Sequence, residues 1–431
     1  MKFPRGLLVL VQRNPGTALL LVVTAAGNVS NFLFNAMISR SLGPNLYGAF
    51  GALLGLLVVV SVPATAFQAA LTRRLVQARL SSLDEDRVDL TSALLKAILA
   101  GVIGSAAVAG LAPVVATFLH LHSRQPVIVA ALYVTPATVD LVPRAVLLAE
   151  RRYGLLAVGT GSSAALRLVA GILLVRSGHG VGGAIAGSVV GEVGCAFILT
   201  SGLRGHLPLS ALPSSRSIQV GREQAGALSA LLGYWSLNGV DSFMARHFLS
   251  RSSSGLYSAA SVTAQVATFL PNAIVPLMIA RFAERHRSGE GAGRQLYATV
   301  AVVAGIALVA ASSATIFRGR IVETLYGGQY SAASSILPQL ALSAAFLAVL
   351  DVTIYFLIAS TARSVAVVPW LGVISIPILA TSLHRSPTAL SIETVSSTAF
   401  VAAGALFLSA RVVRDQGRPT SWSTTPRFSE E

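Results

Sequence analysis

The chain of 431 residues has one cysteine, 17 acidic residues and only 11% charged residues, and each shortage excludes something. Cys195 alone rules out an intrachain disulfide. So little charge beside 54% hydrophobic residues and a mean hydropathy of +0.71 leaves too little polar surface for a soluble globular protein. The glycine run from Gly178 to Gly183 lacks the Lys-Ser/Thr that completes a phosphate-binding loop, so ATP is not the expected source of work. His120 and His122 read as ordinary loop residues, and neither metal nor cofactor is expected. Residues 39–45, a short connection between apolar runs, hold no carboxylate, which argues against a glycosyltransferase or glycan polymerase and for a protein that is not an enzyme.

What the chain does have is apolar runs of about 20 residues, recurring about every 30 to 35 residues and each long enough to cross a bilayer core. They fall at 17–38, 46–70, 91–119, 127–149, 155–175 and 181–203, then at 225–248, 256–280, 296–317, 335–359, 365–383 and 392–410. The expected fold class is an all-α integral membrane protein of about 12 transmembrane helices in two six-helix lobes. The expected domains are an N-lobe at 1–203, a cytoplasmic linker at 204–224 rich in Ser and Pro, a C-lobe at 225–410 and a disordered cytoplasmic tail at 411–431.

A formal charge of +15 would suggest nucleic acid in a soluble protein, but its placement says otherwise. About 21 of the 32 Lys and Arg fall in the N-terminus, the even-numbered loops and the tail, all on one side of the membrane. The positive-inside rule makes that side, with both termini, cytoplasmic; the charge is a topology signal, no nucleic-acid partner is expected, and the expected location is the plasma (inner) membrane. The short apolar stretch before Gln12-Arg13-Asn14-Pro15 does not read as a cleaved signal peptide.

The two sets resemble each other. A shift of 210 residues aligns Asn28 with Asn238, Asn31 with Asp241, and Leu46-Tyr47-Gly48-Ala49 with Leu256-Tyr257-Ser258-Ala259. An even number of spans per set makes the repeat parallel, with a pseudo-twofold axis along the membrane normal and a central cavity between the lobes. Chance likeness among Ala/Leu/Val-rich helices is the alternative.

The segment Arg40-Ser-Leu-Gly-Pro-Asn-Leu-Tyr-Gly48 resembles the signature after the first span of the polysaccharide biosynthesis (oligosaccharide flippase) family, within the multidrug/oligosaccharidyl-lipid/polysaccharide (MOP) exporter superfamily. Gly255-Leu-Tyr-Ser-Ala-Ala260 and Leu325-Tyr-Gly-Gly-Gln-Tyr330 extend the resemblance into the second set. It implies a two-lobed transporter whose first, second, seventh and eighth helices line the cavity, flipping a polyprenyl-diphosphate-linked oligosaccharide for cell-surface polysaccharide synthesis by alternating access. Its implied partners are the lipid-linked glycan and the bilayer, with glycan polymerases or glycosyltransferases as candidates. The chain is short for a lipid II flippase and lacks that group's Arg-rich first helix, so the resemblance leaves the glycan open. The alternatives are an ion-coupled multidrug or organic-cation antiporter of the same superfamily and a non-transporting scaffold of an envelope glycan assembly.

Polar residues within the spans are the candidate site. Asn28, Asn31 and Asn35 share one face of the first helix, as interhelical hydrogen-bond partners or as the lining of a wet cavity. Asn238 and Asp241 repeat that pattern with Tyr234 in the seventh helix; Asp241 is either an ion carrier or a structural partner of Arg246 or an Asn. A diphosphate needs fixed cations, for which Arg40, Arg73, Arg74, Arg246 and Arg281 at helix ends are available, with Gln68 as a neutral donor. Asp140 with Arg144, and Arg167 with Glu192, are expected structural ion pairs. Asp351, a second ion-coupling candidate, and Lys96 have no evident partner and either snorkel or line the cavity.

Overall fold

The structure, a computed structural model, describes residues 15–80, 90–203, 222–268, 292–360, 363–383 and 386–416. Every regular element among them is helical, and eight helices are long and apolar enough to cross a membrane. Two of the eight, Ala26–Val76 and Tyr153–Ser201, run 51 and 49 residues, more than twice what one crossing needs, and each is broken by glycine.

In the first, Gly43 takes φ +69°, a left-handed conformation open to a residue without Cβ, and Pro44 starts the next helix with φ already set. This separates α1 (15–42) from α2 (44–80), and the chain folds back so that the rings of Phe34 and Phe50 meet with centroids 5.9 Å apart. After α3 (Leu90–Gly110), α4 (Ala112–Phe118), α5 (Gln125–Val139) and α6 (Leu141–Ala149), the second long segment gives α7 (Tyr153–Leu174) and α8 (Gly180–Ser201). A π turn at Val175–His179 joins them, with Gly178 at φ +92°. α7 and α8 lie so close that a Cβ on Gly187 would stand 2.5 Å from Gly171 Cα, the small-residue packing by which helices associate where water supplies no drive.

The second set comprises α9 (Arg222–Phe248), α10 (Arg251–Ala264), α11 (Ala292–Ile316), α12 (Arg318–Tyr326), α13 (Leu337–Ala359), α14 (Val368–Leu383) and α15 (Pro387–Gln416). Ser250 caps α10, its Oγ accepting from Ser253 N at 3.1 Å. α9 is long enough to span but too polar to rank with the eight, because it carries Asn238, Asp241 and Arg246. α13 is the enclosed centre of this set: 78% of its apolar window is buried, against 22% for α3, which faces outward. Hydroxyls within the spans, such as Thr138 and Thr353, donate back to their own helix, so the polar side chain needs no water.

Among the described residues the expected spans fall on helices, with two bends, except that of the span at 256–280 only 256–268 is described. The third span, 91–119, is α3 continued by α4, and the fourth bends at Asp140, which Pro136 and Pro143 bracket. The linker at 204–221, Pro271, Pro276, Arg281 and the tail from 417 lie outside the described residues.

Candidate functional site

Three polar assemblies occupy the interior. The first lies within the N-terminal set. Arg144 Nε stands 2.6 Å from Asp140 Oδ2, one helical turn away, as the spacing predicts. Its Nη2 reaches Glu192 Oε1 at 3.5 Å and Cys195 Sγ at 3.3 Å. Tyr133 donates to Glu192 Oε2 at 3.5 Å. This corrects the expected pairing of Glu192 with Arg167. Gly191 is the residue of α8 that faces Arg167, and Glu192, about 100° further round the helix, points at α5 and α6 instead. Arg167 places its guanidinium carbon 4.1 Å from the centre of the Phe34 ring, a cation–π contact to α1.

The second assembly is a cavity of about 20 Å³ within the C-terminal set, room for a single water-sized species. Asn238 and Asp241 of α9, Ser261 and Gln265 of α10 and its end, Ser343 of α13 and Thr394 of α15 give it an oxygen-rich lining. Asp241 accepts from its neighbour Ser242 N at 2.7 Å and from Ser261 Oγ at 3.4 Å. Tyr257, beside Asp241, shares a hydrogen bond of 3.0 Å with Thr394. Asp351 of α13, with Tyr234 and Tyr355 as electrostatic neighbours, and Glu393 of α15 are also buried. Among the described residues the C-terminal set thus buries three carboxylates. Among the described residues its one buried base is Arg246, which is engaged elsewhere.

The third assembly joins the two sets on the face that carries the Gly43 turn. Arg246, 4% exposed at the end of α9, donates to the carbonyls of Leu119 (3.0 Å) and Asn45 (3.4 Å) in the other set and to Ser254 Oγ (3.2 Å). Arg40 returns the exchange, donating through Nε to Leu325 O at 2.9 Å and through Nη2 to Thr324 O. Tyr330 donates to Ser39 O at 2.8 Å, and Tyr47, Tyr326 and Tyr330 cluster with centroids 5.6 to 6.3 Å apart. Between these contacts the backbones nearly touch: a Cβ on Gly51 would lie 2.7 Å from Ser258 Oγ, and one on Gly239 would lie 3.4 Å from Gly55 Cα. A Cβ on Gly255 would collide with the backbone of Pro44. The segments 40–48, 255–260 and 325–330, far apart in sequence, meet in this one seam.

Toward the other face the described residues of α2 pack within their own set. Leu71 of α2 packs with Ala93, Ala97, Val142 and Ala145, all of its own set. Gln68 is half-buried on that stretch of α2, and Lys96 is exposed on α3.

The expected site residues therefore divide. Asn238 and Asp241 share the C-terminal cavity. Asn35 is buried, donating to Asn31 O at 2.8 Å and accepting from Tyr47 OH at 3.4 Å, while Asn28 and Asn31 are half-buried. Arg40 and Arg246 sit in the seam, and no ion pair joins Arg246 to Asp241 among the described residues. Arg73 lies on α2 and Arg281 outside the described residues. Tyr257, Ser261, Gln265, Ser343, Thr394 and Glu393 were not singled out, since single Ser, Thr and Tyr residues in a span carry no periodic signal and Glu393 reads as a span end.

Two helical lobes meeting along a seam is a fold shared with solved structures of the MOP superfamily. The chain overlays on the inward-facing conformation of a multidrug resistance MATE family transporter of that superfamily with a TM-score of 0.73 and 12% identity, covering 93% of this chain and 100% of that one. It matches the lipid II flippase MurJ in an inward closed conformation with a TM-score of 0.67 and 10% identity, covering 92% of this chain and 90% of that one. For an outward-facing MATE transporter the values are 0.63 and 13%, covering 93% and 96%. A search of curated proteins finds no match. The chain belongs to the polysaccharide biosynthesis protein family, whose family model matches residues 37–335, and it is a multi-pass membrane protein.

Proposed function

We propose that the protein is a transporter that carries a polyprenyl-diphosphate-linked oligosaccharide across the plasma membrane by alternating access, for cell-surface polysaccharide synthesis. One observation carries the reading: the two sets are zipped together on the Gly43 face, while toward the other face the described residues around Leu71 pack within their own set. A pair of rigid bodies closed at one end and parted at the other is one half of a rocking cycle. Membership of a polysaccharide biosynthesis family supports a glycan as cargo, and the likeness to a lipid II flippase supports a lipid-linked one. The basic even-numbered loops orient both termini to the cytoplasm, so the parted side faces the cytoplasm, where such glycans are built.

In this reading the lobes are residues 1–203 and 225–410, joined by the linker 204–224, whose residues 222–224 already belong to α9. The tail 411–431 follows, and its residues 411–416 continue α15 as helix rather than as the disordered chain expected from composition. Gln68 offers a donor on the cytoplasmic stretch of α2, Arg73 and Arg281 are assigned to the same path from the sequence alone, and Asn28, Asn31 and Asn35 line it from α1. Arg40 and Arg246, held by carbonyls in the closed seam, become free to meet the diphosphate only when that seam opens. Asp241 and Asp351 are the ion-coupling groups. Asp241 and Asp351 are buried with no ion pair to a base among the described residues, so a cation or proton can balance them.

The test is to deplete the protein in its host, extract polyprenyl-linked sugars for mass spectrometry, and use an impermeant probe to find which leaflet holds them. Build-up on the cytoplasmic leaflet supports the proposal and identifies the glycan. An unchanged pool and sidedness would favour the second reading, an ion-coupled organic-cation antiporter, which the oxygen-lined cavity at Asp241 also suits.

A further inference from the structure

The two arginines that join the sets are twofold mates. Arg40 of α1 and Arg246 of α9 stand 206 residues apart, and so do the carbonyls they reach, Leu119 at the end of α4 and Leu325 in the last turn of α12. Both bonds leave from Nε, Arg40 to Leu325 O at 2.9 Å and Arg246 to Leu119 O at 3.0 Å. The same shift carries α3 and α4, which meet between Gly110 and Ala112, onto α11 and α12, which meet between Ile316 and Arg318. It also carries Phe118, whose carbonyl accepts from His247 Nδ1 at 2.8 Å, onto Thr324, whose carbonyl accepts from Arg40 Nη2. Within α1 and α9 it aligns Gly27 with Gly233, Ser30 with Ser236 and Asn35 with Asp241. Tyr47 follows Arg40 by seven residues and Tyr257 follows Arg246 by eleven, so α2 and α10 obey the 210-residue shift instead. His122 and Arg251 add a further contact between the sets at 2.9 Å.

A contact and its mate, each running from one set to the other, are the mark of a self-complementary interface, here built within one chain. Its chemistry is that of a helix end. The last carbonyls of a helix have no partner within it and carry the negative end of its dipole. A guanidinium from the facing set supplies the donors without a carboxylate, and among the described residues neither Arg40 nor Arg246 is in an ion pair. Each set therefore contributes one arginine and one helix end, and both bonds lie on the Gly43 face. Between them the glycine contacts leave no slack: a Cβ on Gly255 would collide with Pro44, and one on Gly51 would lie 2.7 Å from Ser258 Oγ.

We propose that Arg40 with Leu325 and Arg246 with Leu119 form one two-armed clasp whose arms release together, so that the closed end opens in a single step with no half-open form. This rests on the alternating-access reading and adds to it the positioning residues that hold the closed end. Two rigid sets that tilt apart on this face stretch both arms at once, because the arms are related by the same pseudo-twofold axis that relates the sets. The hydrogen bonds given up are to backbone carbonyls, which water in an opened cleft satisfies equally well, so neither arm leaves a stranded charge behind.

The experiment measures distances between spin labels in the full chain reconstituted in lipid, in a Cys195→Ser background. Ser177→Cys with Ser331→Cys, exposed positions of opposite sets, reads the Gly43 face, and Val76→Cys with Val367→Cys reads the other. Arg40→Ala should raise the ratio of open to closed forms about fivefold, and Arg246→Ala about tenfold or more. Both should populate the same longer distance across the Gly43 face, and the double variant should multiply the two ratios at that distance. Arg40→Lys should restore part of the closed population. Arg40 is exposed, so its variants test the clasp even where Arg246→Ala folds poorly. As the Gly43 face opens, the pair on the other face should draw closer. A different long distance in each single variant would mean that the arms let go one at a time, overturning the clasp but leaving alternation standing. A lower Tm with no lengthening in any variant would make the contacts structural and overturn it as well. Lengthening across the Gly43 face with no approach on the other would uphold the clasp and overturn the alternating-access reading.

Discussion

Arg246 of α9 donates through Nε to the backbone carbonyl of Leu119, 127 residues earlier and in the other half of the chain, at 3.0 Å. A buried guanidinium satisfied by carbonyls rather than by a carboxylate holds the two halves without a neutralised ion pair. Releasing it costs hydrogen bonds that water or an anionic ligand can replace. That makes it suited to a contact broken in every cycle.

Arg246→Ala leaves the carbonyls of Leu119 and Asn45 short of a donor. The closed form should lose about 1 to 3 kcal/mol, seen as a lower Tm in detergent and a longer distance across the seam. Arg246→Lys, a point charge without the fork, should recover only part of it.

The glycine seam tolerates no bulk. Gly255→Val places a branched side chain against the Pro44 backbone, and Gly51→Val does the same against Ser258. Both variants should remain helical by circular dichroism but hold the Gly43 face apart, which cross-linking between the sets reads directly. Gly161→Ala on α7, where a Cβ meets nothing within 4 Å, is the control and should behave as the parent.

In the N-terminal network, Arg144→Met strands Asp140, which is 1% exposed. Breaking a buried pair from one side costs about 3 to 5 kcal/mol, so thermal unfolding should fall sharply. Because Arg144 also meets Glu192, recovering most of that loss should take the triple variant Asp140→Asn, Arg144→Met and Glu192→Gln. If the network instead takes part in transport, the triple variant will unfold normally and carry nothing.

Asp241→Asn keeps the shape of the cavity and removes its charge. Transport driven by an imposed ion gradient should drop by at least about tenfold, while the Tm stays the same or rises, because a buried carboxylate is costly to hold. Retained transport in both Asp241→Asn and Asp351→Asn would remove these two residues from ion coupling.

Much of the fold could be read along the chain because it is written in local chemistry. Apolar runs of bilayer length fix where helices lie, Gly43-Pro44 fixes a turn, and Asp140 and Arg144 are paired by one turn of helix. The aligned tyrosines do have similar surroundings: Tyr47 hydrogen-bonds Asn35 on the preceding helix and Tyr257 stands beside Asp241 on its own preceding helix, although the 210-residue shift pairs Asp241 with Asn31 and Asn35 with Ala245. The partner of Glu192 was out of reach, because the choice between Arg144 and Arg167 depends on how α8 is rotated, which the glycines facing α7 decide.

The sequence by itself determined that this is a helical membrane protein, which ends of its helices are basic, and which polar residues must be hidden from lipid, since burial of apolar runs and the cost of charge in hydrocarbon act residue by residue. Only the tertiary structure decided that Arg40 and Arg246 join the two halves through backbone carbonyls. It also decided that Asp241 shares a cavity with Thr394, and that His122 meets Arg251. Those contacts link residues more than a hundred positions apart, and no local propensity encodes them: they exist because glycine-lined helices pack at one rotation and one depth.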